Sequence, residues 1–158
     1  MGERIDYLDD PAAPKANSVV PSANVIVVND HDEILLIRRT DNGNWAVPGG
    51  GMDLGESITD TAVRETQEET GITCEITGLV GIYTNPHHVI RYTSNDEARQ
   101  EFSIVFTARP VGGELRPSSE SSEPRWVSPA TVPRLQMHPS MRQRIQHYLD
   151  KRPEPYLG

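Results

Sequence analysis

The segment Gly49–Ile72, GGGMDLGESITDTAVRETQEETGI, restricts what this chain can become more than any other stretch. It opens with three glycines behind Pro48, where no side chain blocks close approach and the backbone is free to turn. Ser57 then stands as a helix cap with Asp60 three residues on, the capping-box spacing. Gly71 supplies the expected left-handed stop. The spacing predicts one helix of roughly four turns between them.

That helix has two faces. At about 100° per residue, with Glu65 at zero, Glu69 falls near 40° and Glu68 near −60°. Ala62, Val63, Thr66 and Thr70 spread from about 60° to 160°, a narrow face of small residues fit to pack on a sheet. Three carboxylates thus share one stripe, with Arg64 at its border. A solvated acidic face is the plain alternative, because exposed like-charge pairs cost only about 0.2–0.5 kcal/mol each. The glycine turn beside the stripe sharpens the reading: clustered carboxylates and free carbonyls are the oxygen donors that hard cations such as Mg2+ take.

The run resembles the Nudix box, G-x5-E-x7-R-E-U-x-E-E-x-G-U with U a bulky aliphatic. Gly50, Glu56, Arg64, Glu65, Glu68, Glu69, Gly71 and Ile72 fall in register. The one departure is Thr66 in place of an aliphatic, on the packing face, where it bears on local stability and not on chemistry.

The resemblance implies an α/β fold, the Nudix α/β/α sandwich with a mixed β-sheet, and an enzyme: a pyrophosphohydrolase acting on phosphoanhydrides. It implies a metal site holding Mg2+ or Mn2+ through Glu65, Glu69 and the Gly49 carbonyl, with Glu68 as ligand or base. Arg64 is the arginine that fixes a ligating glutamate, and Glu56 braces the loop. Many relatives recruit one further glutamate six residues before a late-strand tryptophan, which here is Glu120 ahead of Trp126. Glu123 and Glu101 compete for that role.

The remainder of the chain fits one domain. With 158 residues, a core of ordinary size can form. We read residues 1–17 as an irregular N-terminal arm, 18–152 as the Nudix domain and 153–158 as a tail. Ser22–Val28 and Glu33–Arg39 read as a hairpin around Asn29-Asp30-His31-Asp32, making His31 a turn residue. Trp45–Pro48 is a short strand, and Cys74–Tyr83, Val89–Tyr92, Glu101–Ala108 and Arg125–Val127 are further strands. Ser94–Glu97 reads as a polar loop, Arg109–Gly113 as a turn and Ser128-Pro129 as a helix start. A last helix near Ser140–Asp150 carries Met141, Ile145 and Leu149 at i,i+4 spacing. Cys74, the single cysteine, reads as a small buried hydrophobe and excludes an internal disulfide.

The net charge of −8 argues against a nucleic-acid-coating surface, while a nucleotide can still be bound through metal. No apolar run of about 18 residues appears, so a cytoplasmic protein without a membrane partner is expected. A homodimer stays open. The expected substrate is a nucleoside diphosphate linked to another moiety, ADP-ribose-like or a nucleoside triphosphate. Relatives that cleave ADP-ribose often carry a proline fifteen residues past the last box glycine, the place of Pro86. Arg38, Trp45, His87 and Arg99 are the candidate substrate contacts, each weighed against ordinary loop or core duty. A non-catalytic nucleotide-sensing module is the alternative. A prenyl-diphosphate isomerase is a more remote one, since Cys74 is badly placed for it.

Overall fold

The computed structural model describes residues 3–158. In chain order the elements are β1 (Arg4–Leu8), β2 (Ser18–Val19), β3 (Ser22–Val27), β4 (Ile34–Arg39), β5 (Trp45–Ala46), β6 (Gly49–Gly51) and α1 (Ile58–Thr70). There follow β7 (Ile72–Tyr83), β8 (His88–Tyr92), β9 (Glu97–Gln100), β10 (Ser103–Gly113), β11 (Ser121–Val127), a 3-10 turn (Val132–Arg134), α2 (Pro139–Leu149) and β12 (Tyr156–Leu157).

The central sheet is mixed, in the order β12-β7-β10-β3-β6, with β3 parallel to β10 and β7 antiparallel to it. Two smaller sheets flank it, β11-β4-β5 and β1-β8-β9-β2. Strand β3 carries the core because both its faces are covered, which is what its nearly unbroken apolar run requires. Ala23, Val25 and Val27 meet Ala62 of α1, with Cys74 and Phe106 in the same cluster. Ile26 points the other way, into a cluster shared with Val105, Val47 and Ile145 of α2. Helices on opposite faces of the sheet region make the expected α/β/α sandwich.

Several local expectations change. Strands β3 and β4 are joined at the Val28–Ile34 bridge and by hydrogen bonds between Asn29 and Glu33 before parting into different sheets. The predicted hairpin is therefore a corner between layers. Gly49–Gly51 is not a turn but an extended strand paired with β3, opposite Asn24, Ala23 and Ser22. Arg109–Gly113 is also strand, because β7 continues alongside it through a bulge at Pro110/Gly112, and only Gly113, at φ 83°, ends it. Part of the Ser94–Glu97 loop belongs to β9, which antiparallel pairing with β8 creates. Ser128-Pro129 starts no α-helix, and the helical turn begins at Val132 after the Thr131 cap.

The arm is less irregular than its composition suggests. Arg4–Leu8 pairs antiparallel with His88–Tyr92, an interaction invisible in a five-residue segment read alone. Met1 and Gly2 of that arm lie outside the described residues. In the tail, Tyr156–Leu157 adds parallel to Gly81–Ile82.

Candidate active site

Helix α1 begins as its sequence dictates. Ser57 Oγ accepts from the Asp60 N–H at 3.1 Å, and Asp60 Oδ2 accepts from the Ser57 N–H at 3.0 Å. Gly71 closes the helix at φ 83°, and a Cβ there would overlap the Glu114 carbonyl. The fully buried Thr66 solves its own polarity: Oγ1 donates to the Ala62 carbonyl at 2.8 Å, so the departure from an aliphatic leaves no orphan hydroxyl.

On the other face Arg64 is a hub. Its Nε and Nη2 grip Glu56 at 2.6 and 2.9 Å, Nη1 reaches Glu65 at 2.9 Å and Glu68 at 3.2 Å, and Nη2 reaches the Gly51 carbonyl at 3.3 Å. A planar fork of donors suits this task. Glu56 also accepts from the Asp53 N–H at 2.9 Å and Thr61 Oγ1 at 3.0 Å. The Arg64 hydrogen bond foremost, then that backbone donor, bring Glu56 down to about 2, so it braces the loop as a permanent anion.

Glu69 has the opposite situation. It is 5 % exposed, and its Oε2 has no hydrogen-bond partner. Burial, then the charge and hydrogen bond of Glu65 and the charge of Glu120, push its carboxyl far above the ordinary carboxylate range, with only the Gly49 N–H opposing. Burial also raises Glu65. Strand β6 must be glycine to pass this close. A Cβ on Gly50 would stand 2.5 Å from the Glu65 carboxyl carbon, and one on Gly49 would overlap the Ala23 carbonyl. Glu68, with its side chain 55 % exposed, faces solvent. This all-oxygen donor set, with an orphaned buried carboxylate oxygen, fits a hard divalent cation.

A cleft extends from Gly49, Gly50 and Glu69 toward Trp45, Arg99 and Arg144. Trp45 and Arg99 therefore line it as two of the four candidate contacts. Arg99 pairs with Glu97 and lies 4.8 Å over the Tyr92 ring. Arg38 points toward the Gly43 carbonyl, and His87 sits in the exposed turn after β7; neither lines the cleft, and neither does Pro86. Among the rival loop acids, Glu101 is buried against Arg144 and Glu123 is paired with Arg125. Of the three, Glu120 is the one whose charge contributes to raising Glu69.

The far end of the cleft holds residues that sequence reasoning passed over: Arg4 and Asp6 of β1, Asn24 of β3, His138, and Arg144 of α2. Two of these left a signal. Asn24 interrupts an apolar strand, and Arg144 stands beside Ile145 on the helix face directed inward. Arg4 and Asp6 left none.

The comparisons agree with this geometry. A family model of the NUDIX domain matches residues 19–148. A protein of Bacillus subtilis (strain 168) named putative 8-oxo-dGTP diphosphatase is 33 % identical over 126 residues, covering 80 % of this chain and 77 % of its own. An ADP-ribose pyrophosphatase of Methanocaldococcus jannaschii is 32 % identical over 112 residues, covering 69 % and 62 %. Among solved structures, a NUDIX hydrolase from Nitrosomonas europaea superposes with a TM-score of 0.73 at 23 % identity, covering 90 % of this chain and 78 % of its own, a likeness of fold. With the glycine strand, the acidic helix and the arginine hub in register, the chain belongs to the Nudix family, and it is an enzyme of the pyrophosphohydrolase type.

Proposed function

We propose that this enzyme hydrolyses the diphosphate bond of a nucleoside diphosphate linked to another moiety, a class that includes ADP-ribose and nucleoside triphosphates. Nudix hydrolases use divalent metal ions; here we assign Mg2+ or Mn2+, held by Glu65, Glu68, Glu69 and the Gly49 carbonyl. The observation that carries the reading is Glu69, a buried carboxylate with an unpartnered oxygen, crowded by Glu65 and Glu120. Such an arrangement is unfavourable until a cation joins it. When bound, the ion neutralises a polyanionic substrate and makes a coordinated water more acidic.

The chain's own residues do the rest. Arg64 holds Glu65 and Glu68 at fixed spacing, and Glu56 locks Arg64 in turn. Glu68, the most exposed of the helix carboxylates, takes the proton of the attacking water at its carboxylate, and Glu120 completes the acidic floor from its loop. Trp45 and Arg99 serve as cleft-side substrate contacts.

Relatives at similar identity are named for different nucleotides, so both kinds belong in the test. Phosphate and nucleotide release from a panel containing ADP-ribose, unmodified and 8-oxo-purine nucleoside triphosphates should appear with Mg2+ and vanish with chelator. Metal-independent turnover, or none on any member, would refute the reading. Among the described residues no helix is long and apolar enough to cross a membrane. We place the protein in the cytoplasm with no nucleic-acid partner, and sedimentation would decide between a monomer and a homodimer.

A further inference from the structure

Strand β3 is apolar throughout except at Asn24, in the run Ala23-Asn24-Val25-Ile26-Val27. Alternation puts Asn24 on the face of Ile26, toward α2. A primary amide there has one acceptor and two donor hydrogens to satisfy. The acceptor is fully engaged: Oδ1 receives Ser103 Oγ at 2.9 Å and the Arg144 guanidinium. A guanidinium only donates, so the amide can point only one way, oxygen to Arg144 and nitrogen away. Arg144 is itself buried and held by other partners. It is 2 % exposed, holds Glu101 at 3.2 Å through Nη2 and lies 5.0 Å over the Tyr83 ring.

Nδ2 is thereby aimed at Gly49, so near that a Cβ on Gly49 would overlap it. No acceptor for Nδ2 occurs among the described residues, although Asn24 is only 8 % exposed and lines the cleft beside Gly49 and Glu69. Two N–H donors thus face the cleft beside the acidic floor without a protein acceptor among the described residues, and a bound ligand can supply one.

We propose that Asn24 contacts substrate, its Nδ2 donating to a phosphoryl oxygen of the diphosphate lying across Gly49, and that Arg144 and Ser103 are positioning residues acting through it. This rests on the hydrolytic reading above and extends it to a specific contact. Anionic phosphoryl oxygens are the acceptors that a donor-only group in this position suits, since hydrogen bonds to charged partners are the stronger ones. The selection of asparagine also follows. Aspartate would place another anion beside Glu69, and leucine would leave Arg144 Nη1 without its Asn24 acceptor.

The test uses Asn24→Ala, Arg144→Lys and the double variant. Readouts are hydrolysis of the best panel substrate, calorimetric binding of non-hydrolysable methylenediphosphonate with Mg2+, Mg2+ binding by itself, and melting temperature. Asn24→Ala should lower kcat/KM by about 10- to 100-fold and raise the methylenediphosphonate Kd by about 10-fold, the worth of a hydrogen bond to a charged group. Mg2+ affinity should move less than the methylenediphosphonate Kd, because Asn24 donates to the ligand and is no metal ligand. Arg144→Lys should cost activity in the wild-type background and nothing further in the Asn24→Ala background. Should Arg144→Lys fail to fold, Ser103→Ala loosens the same amide and replaces it in the cycle.

Unchanged methylenediphosphonate binding in folded Asn24→Ala overturns the contact, and additive losses in the cycle overturn the positioning roles. A wild type that binds the diphosphonate through Asn24 yet hydrolyses nothing leaves the contact standing and removes the hydrolytic reading instead.

Discussion

The cleft has two ends of opposite electrostatic design. At the acidic end Arg64 reaches Glu65 and Glu68 but bonds most closely to Glu56, while Glu69 is crowded by the charges of Glu65 and Glu120. At the other end, Asp6 and Glu101 are matched by Arg4 and Arg144. His88 sits between them, Nε2 2.9 Å from Asp6 and Nδ1 3.7 Å from Glu101. Burial disfavours the anion at both places. At Asp6 it is outweighed by the hydrogen bonds of His88 and Arg4 and by the Arg4 charge, and the carboxyl drops well below its usual range. At Glu69 the neighbours add to burial, and the carboxyl rises. Similar depth with opposite outcomes shows that the company a carboxylate keeps decides whether it is scaffold or ligand.

The largest test of this contrast is catalytic. Glu68→Gln keeps the size of the side chain and removes the proton acceptor, so kcat should fall by about 10²–10⁴-fold with the melting temperature unchanged. Steady-state kinetics with a melting curve would check both halves, and near-wild-type turnover would break the assignment of the base. At the paired end the pattern should reverse. Asp6→Asn leaves the Arg4 and His88 partners uncompensated and should cost about 3 kcal/mol of stability by denaturant unfolding, the low end for a buried pair because Asp6 is 14 % exposed.

A smaller effect has the opposite sign. Glu69→Gln removes a crowded buried carboxyl that resists ionisation and should stabilise the metal-free protein by about 1 kcal/mol, while eliminating the stabilisation that added Mg2+ brings to the wild type. Destabilisation of the metal-free protein by this substitution would show that Glu69 is not strained, and the contrast with Asp6 would fail.

The two ends were also unequally legible. Most of the acidic end lies within one contiguous segment, so a helical wheel beside a run of three glycines was enough to bring Glu65, Glu68 and Glu69 together and to put Arg64 at their border. Glu120 needed a resemblance, because a loop acid carries no periodic signal. The paired end is assembled by topology alone. Arg144 meets Asn24 across 120 positions, and His88 meets Asp6 across 82. No local pattern announces that Arg4–Leu8 will pair with β8, and propensity does not show that three glycines will form a strand when their partner is β3. Trp45 and Arg99 were identifiable as cleft residues by type, whereas Arg38 and His87 had equal claims and ended up elsewhere. The difference is set by strand direction, which is a tertiary property.

The finest discriminator is acid. Asp6 faces Arg4 and His88, with the charge of His138 nearby, and its folded pKa lies below the unfolded value of about 3.9. A depressed carboxylate contributes stability that is complete above the unfolded value and is lost as pH falls through the folded one. Glu56, held near 2 by Arg64, behaves the same way. Glu69 runs against them, since a carboxyl raised by burial is relieved when it takes a proton. In metal-free protein the relief at Glu69 is complete once pH reaches the ordinary carboxylate value, so the acid limb below it holds the losses at Asp6 and Glu56. Asp6→Asn should flatten the fall in melting temperature between about pH 4 and pH 2.5 relative to wild type, and Glu69→Gln should leave that window unaltered. If the two substitutions change the acid limb equally, the paired and unpaired ends do not differ in the way their geometry says they do.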